Sequence, residues 1–207
     1  TQEFVKAHQT DRGHFSILDM GGIAILIAFF CFSLRDTISW AFIATTGMEA
    51  GLSEAEVGAL LANSALFGLV GPLLATVIGA RFGLRLPLVV GIIASGLVTY
   101  LVSQASNDAT LYSISALFWV GSYFFCLSYL TALAAEMDVE GRVAAAAGSA
   151  LMVGLFVGPS LGGALIADGS YVIVGHVNNL LILATLGGAF IAYRSLRGLR
   201  RRVPSAA

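Results

Sequence analysis

Six stretches of this chain are each apolar and long enough to cross a lipid bilayer, and nothing else in the sequence restricts the fold as much. A spanning helix needs about 20 mainly apolar residues. Windows meeting that need run from Ile17 to Thr46, Ala55 to Gly79, Leu86 to Ser103, Ala109 to Ala135, Val143 to Ala167 and Tyr171 to Tyr193. In hydrocarbon, each backbone N–H and C=O has to be paired within the protein, so such windows are expected as helices. Composition agrees: 57% of the 207 residues are hydrophobic and 11% charged, and mean hydropathy is +0.88. The expected class is an all-α membrane protein: a linker (1–18), a bundle of six transmembrane helices (19–193) and a basic tail (194–207). The first window is longer than a bilayer requires, so it either tilts or begins outside the hydrocarbon.

A formal net charge of -1 gives no field that would draw nucleic acid, and none is expected as a partner. The positions of the charges say more. Lys6 and Arg12 precede the first window, Arg81 and Arg85 follow the second, Arg142 follows the fourth, and Arg194, Arg197, Arg200, Arg201 and Arg202 follow the sixth. The alternate loops contain Glu49, Glu54, Asp108 and Asp168 and no Lys or Arg. By the positive-inside rule both termini are expected in the cytoplasm, in a membrane of the bacterial cytoplasmic (inner) type. The arginine-rich tail reads first as a topology anchor, with attraction to anionic lipid head groups as the alternative. Cys31 and Cys126 lie in apolar stretches without Cys-x-x-Cys spacing and read as packing residues. No metal or other cofactor is expected. There is no Gly-x-x-x-x-Gly-Lys-Ser/Thr loop, so this chain is not expected to pump with ATP.

The second and fifth windows share a pattern. The second contains Gly68-Leu-Val-Gly71-Pro72, and the fifth Gly154-Leu-Phe-Val-Gly158-Pro159-Ser160-Leu161-Gly162-Gly163. Glycines four apart let two helix backbones approach closely, and neighbouring helices can offset a proline's missing hydrogen bond. Each of these windows is the middle one of three. With six alternating spans, the two triplets would be inverted-topology repeats.

Three local patterns give a resemblance to the major facilitator superfamily over most of the chain beyond residue 18. The Gly154–Gly163 run matches that family's Gly-x-x-x-Gly-Pro-x-x-Gly-Gly pattern. The loop Gly79-Ala80-Arg81-Phe82-Gly83-Leu84-Arg85 is similar to its cytoplasmic signature loop, with Arg81, Gly83 and Arg85 at the matching positions. Trp40-Ala41-Phe42 followed by Gly51-Leu52-Ser53-Glu54 is similar to the start of many C-terminal halves. Ala80 stands where the family's loop has an acid, and the fourth window lacks the arginine of many N-terminal halves. The resemblance therefore implies the C-terminal six-helix half of a twelve-helix secondary transporter. Its partners would be the lipid bilayer, a small-molecule substrate and the N-terminal half of the same transporter. On the helix corresponding to the eleventh, the Gly-Pro run is weak evidence for export.

Arg35 and Asp36 fall near the middle of the first window, where a charged side chain costs about 2.5–3.5 kcal/mol and usually faces a cavity or a partner. Ser33, Asp36, Thr37 and Trp40 share one helical stripe, with Arg35 turned about 100° from Asp36. This stripe either lines a cavity for substrate or a coupling proton, or belongs to a structural ion pair. In the fourth window Tyr112, Ser115, Trp119, Ser122, Tyr123 and Cys126 recur at helical spacing, as a cavity wall or as a packing face with Tyr112 at the membrane interface. Asn63 is a further candidate, or a hydrogen bond between helices. His176, Asn178 and Asn179 read as interfacial. Two other classes remain: a non-transporting membrane scaffold or sensor, and an intramembrane serine protease. The protease would use Ser160, which lies in a formal Gly-x-Ser-x-Gly, with His176; that pattern has meaning at a strand-to-helix elbow, and here it sits in a helix.

Overall fold

A computed structural model describes residues 17–79, 81–138, 140–167 and 171–202, the last four of these without their side chains. Most of the linker with Lys6 and Arg12, Ala80 of the signature-like loop, Asp168, the side chains of Arg200, Arg201 and Arg202, and residues 203–207 lie outside the described residues. The described residues form eight helices and no strand: α1 (Met20–Trp40), α2 (Ile43–Glu49), α3 (Glu54–Phe67), α4 (Val70–Ile78), α5 (Arg85–Ser103), α6 (Ala109–Met137), α7 (Arg142–Leu165) and α8 (Val172–Arg202). Six segments are long and apolar enough to cross a membrane: α1, α3 with α4, α5, α6, α7 and α8.

Two windows are divided. The first is not one long helix, because α1 stops at Trp40 and the chain turns through Ala41 and Phe42, whose N–H bonds to the Ser39 carbonyl at 3.2 Å. The buried Tyr112 hydroxyl then donates to the Ile43 carbonyl at 2.8 Å and pins α2 against α6. The second window breaks at Gly68–Leu69, and Pro72 falls in the first turn of α4. A missing N–H costs little there, since first-turn N–H groups have no partner within the helix. Pro159, by contrast, sits inside an unbroken α7 that glycine contacts hold to α1 on both sides of it.

Those contacts set the architecture. A Cβ at Gly154 would overlap the Ser33 hydroxyl and stand 2.7 Å from the Phe30 carbonyl; one at Gly158 would overlap Thr37; one at Gly162 would lie 2.9 Å from the Ile38 carbonyl. Residue numbers rise together in both helices, so α7 runs parallel to α1. Gly163 is less involved, with Phe42 4.0 Å away. The second glycine-proline helix does the same with a different partner. A Cβ at Gly71 would overlap the Gly121 carbonyl and one at Gly68 would meet Val120 at 2.6 Å, so α4 runs parallel to α6. Meanwhile α8 lies antiparallel to α1, with Gly188 against Ala24 and Asn178 against Ser39, and antiparallel to α5, with Gly175 against Ser103 and Gly96 against Ile182.

The core these helices enclose includes Phe29 and Phe32 of α1, Ile92 of α5, Leu130 and Leu133 of α6, and Val143 of α7. The outside is apolar as well, with Leu66, Leu73, Phe156, Leu180 and Leu183 widely exposed, the distribution expected where hydrocarbon replaces water. Polar caps mark several helix ends. Ser53 and Glu56 form a reciprocal capping box on α3, and the Asp108 carboxylate accepts the Thr110 and Leu111 N–H groups at 3.0 and 2.9 Å. In the loop before α5, Gly83 holds φ +68, which a side-chain-bearing residue adopts only with strain.

The loop before α7 turns on Asp138. Its carboxylate accepts N–H bonds from Glu140 (3.0 Å), Arg142 (2.8 Å) and Val143 (3.2 Å), and lies 3.7 Å from Arg142 Nε. Burial alone would raise its pKa. The three backbone donors and the Arg142 guanidinium outweigh that and hold it below the ordinary 3.8.

Gly154→Ala should lower stability in detergent by about 1–3 kcal/mol, because its new methyl meets backbone that cannot move aside. Gly148→Ala, with open space at its Cβ, should be neutral or slightly stabilising; equal losses on denaturant titration would refute the packing account. Asp138→Ala should cost about 2 kcal/mol at neutral pH. A lowered folded-state pKa stabilises above the unfolded value and is lost as pH falls through the folded one. The difference between wild type and variant should therefore be constant from about pH 8 to 5 and close below about pH 4 in melts across a pH series.

Candidate functional site

Arg35 and Asp36 lie in the second half of α1, level with the middle of α5. Arg35 is 1% exposed and Asp36 13%. Arg35 Nη1 donates to Ser95 Oγ at 3.3 Å and to Thr99 Oγ1 at 3.4 Å. Those hydroxyls spend their own protons on α5, Ser95 on the Ile92 carbonyl and Thr99 on the carbonyls of Ser95 and Gly96, so their lone pairs are free for the guanidinium. The Phe32 ring lies 5.0 Å from the guanidinium carbon and stacks on Tyr123 at 4.9 Å. Arg35 Nε and Nη2 have no hydrogen-bond partner among the described residues.

The carboxylate is held from another side. Trp119 of α6 donates its indole N–H to Asp36 Oδ1 at 2.8 Å, much closer than the 3.9 Å to Arg35 Nη2. The Arg35–Asp36 contact is thus an attraction without a hydrogen bond. Although the two residues point about 100° apart, the length of the arginine side chain brings its head back within reach. Trp40 meets the edge of Trp119 at 6.0 Å and is itself exposed. The cluster therefore joins three helices: Arg35 ties α1 to α5, and Asp36 ties α1 to α6.

The expected stripe on α1 divides between two neighbours. Asp36 and Trp40 face Trp119, whereas Ser33 and Thr37 face the glycines of α7. Ser33 is fully buried, and the Thr37 hydroxyl lies 2.9 Å from the Ser33 carbonyl and 3.1 Å from that of Gly154. On α6, Ser122 donates to the Trp119 carbonyl and is half-buried like Tyr123. Tyr112 is buried instead of interfacial. Asn63 is exposed on α3. Asn178 also departs from an interfacial position: it is fully buried and donates to Ser39 Oγ at 2.6 Å, which locks α8 to α1. His176 and Asn179 are exposed. Ser160 is exposed on α7, and no hydrogen bond joins it to His176.

Sequence reasoning missed Ser95 and Thr99. Their signal was two hydroxyls four residues apart in an apolar helix, on the face that also carries Gly91, whose Cβ would sit 3.1 Å from Cys126 Cα. A separate cleft of about 340 Å³ opens between α4 and α6, lined by Pro72, Thr76, Ser128, Tyr129 and Glu136 among others. Tyr129 lies roughly 15 Å further along α6 than Trp119, so this cleft is distinct from the charged cluster. Among the described residues no three His, Cys, Asp or Glu side chains converge as a metal site would need.

No protein-family model matches the chain, and no curated protein matches it.

Asp36→Asn should destabilise the bundle by about 3–5 kcal/mol, because it leaves a buried guanidinium without its countercharge. Arg35→Met combined with Asp36→Asn should recover most of that loss, since Ser95 and Thr99 keep their bonds to α5. Unfolding titrations of the three proteins decide it, and a double variant as unstable as the single one would show that the charges do not compensate each other.

Proposed function

We propose that this chain is a six-helix half of a major facilitator-type secondary transporter, moving a small solute by alternating access. The observation that carries the reading is the matched packing of the two glycine-proline helices. Exchanging the first three spans for the last three turns the parallel α4–α6 pair into the parallel α1–α7 pair. It turns α5–α6 into α1–α8 and returns α5–α8 to itself. A chain folded as two inverted-topology repeats would have this symmetry of contacts.

In this reading the first-repeat Gly-Pro and its second-repeat equivalent are bendable packing faces, and the partner half covers surface that this bundle leaves open. Both glycine-proline spans are sparsely covered, and each exposes polar or small residues, Asn63 and Gly58 on α3 and Ser149 and Ser160 on α7. A wholly lipid-facing surface has little use for such residues. Asp36, partly accessible and poised by Trp119, is the group for a coupling proton or a polar solute atom, with Tyr123 and Trp40 beside it. The chain has no phosphate-cradling loop, so a solute or ion gradient supplies the driving force. The bias of Arg residues to one set of loops favours cytoplasmic termini in a bacterial-type inner membrane. No catalysed reaction is part of this reading.

One observation favours a second reading. Complete burial of Arg35 on two α5 hydroxyls is what a purely structural lock needs, and a non-transporting scaffold or sensor would retain it.

The intact protein in proteoliposomes loaded with a pH-sensitive dye separates the two. A panel of small solutes, tested across a pH series, should include at least one that moves with a pH-dependent rate. Asp36→Asn should flatten that dependence while Asn179→Ala leaves it unchanged. Transport with the same pH response in Asp36→Asn would remove the role given to Asp36, and no movement of any solute would favour the scaffold.

A further inference from the structure

We infer that Arg85 and Arg194 form a binding site for the phosphate of an anionic phospholipid at one membrane boundary. Arg85 is the first residue of α5 and Arg194 lies near the end of α8. Their guanidinium carbons stand 5.9 and 5.6 Å from the centre of the same ring, Phe190. The face of an aromatic ring attracts a cation, and here it gathers two that repel each other.

Among the described residues no acidic side chain forms an ion pair with either of them. The cations seen paired with carboxylates there are Arg35 and Arg142, and the first turn of α5 holds no acid. Arg81 and Arg197 are exposed nearby in sequence and add to the positive charge. Two exposed, uncompensated guanidinium groups suit a phosphate oxygen pair, which guanidinium recognises with two parallel N–H donors.

The surroundings commit the site to a lipid. Below Arg85 on the same stripe of α5 are Val89 and Ile93, and below Arg194 on α8 are Phe190 and Leu183, all exposed. The two helices pack side by side through Gly96 and Gly175. An anion held by the arginines therefore has an apolar wall directly beneath it, which fits acyl chains and offers nothing to free phosphate. This inference requires only that the bundle spans a membrane and does not depend on transport.

Native mass spectrometry of the full chain, released from detergent with equal amounts of phosphatidylglycerol and phosphatidylcholine of identical acyl chains, tests it. The wild type should retain phosphatidylglycerol preferentially. R85Q/R194Q should bind it about 30-fold more weakly, given about fivefold per arginine near an anionic surface, without a change in phosphatidylcholine. R200Q/R201Q, which removes equal charge from the tail, should keep the preference. The inference is overturned by equal retention of the two lipids, by an unaffected R85Q/R194Q, by an equal loss in R200Q/R201Q, or by displacement with millimolar inorganic phosphate. Both arginines are exposed, so monodisperse elution of each variant is expected, and R85K/R194K, which keeps the charge, should fall between wild type and R85Q/R194Q.

Discussion

Along its second half, from Phe30 to Ile38, α1 touches α7 with little more than small side chains between the two backbones. Glycine at 154, 158 and 162 removes the atoms that would hold them apart, and Ser33, Thr37 and Ile38 occupy the space. In lipid there is no hydrophobic reward for bringing two apolar helices together, because the tails are as apolar as the side chains they replace. What remains is close contact and hydrogen bonding, and both need small residues. The Thr37 hydroxyl can lie 3.1 Å from the Gly154 carbonyl only because nothing projects from Gly154. With α7 held this way, α8 closes on the opposite side of α1 through Gly188, and α5 and α6 complete the core.

That packing also explains why the bundle can hold a charged pair. Ser33 and Thr37 turn one side of α1 toward α7, which leaves Arg35 and Asp36 for the side facing α5 and α6. There the guanidinium finds hydroxyl oxygens whose protons are already in use, and the carboxylate finds an indole N–H. An ion pair of this kind contributes little net stability, since desolvation offsets most of the attraction, but losing one partner is expensive. The arrangement is therefore one in which the two charges depend on each other more than the bundle depends on the pair.

Much of this architecture was legible in the sequence, for reasons that can be given residue by residue. Length and apolar composition are enough to find the six segments that the fold forms as helices long and apolar enough to cross a membrane, because hydrocarbon leaves so few backbone options. The glycine spacing announced close packing but not its partner: nothing in Gly154-x-x-x-Gly158 says that α1, and not α6, lies against it. The same gap divided the stripe on α1. Ser33 and Asp36 share a helical face by periodicity, yet a face is wide enough to touch two neighbours. The break at Gly68–Leu69 and the turn at Ala41–Phe42 were hidden because both keep an apolar composition. Asn178 misled for a simpler reason. A polar residue near a helix end reads as wet, and only the opposing Ser39 makes its burial tolerable.

Asp36 and Arg35 differ in one respect that bears on how such a cluster could work. Arg35 is closed off, held by Ser95 and Thr99, while Asp36 keeps some exposure beside Trp119 and Trp40. A proton or a cationic group reaching Asp36 would cancel the charge that faces Arg35 without touching the arginine itself. The guanidinium would then be left with two neutral hydroxyls in a low-dielectric interior, where its remaining N–H groups already lack hydrogen bonds. A shift of α1 relative to α5 would be one route to relief, since those are the helices Arg35 joins. Occupancy at Asp36 and the α1–α5 contact would thereby be coupled through one side chain. An intramembrane charge can bias two helix arrangements in this way only if both charges are present and only one of them is accessible.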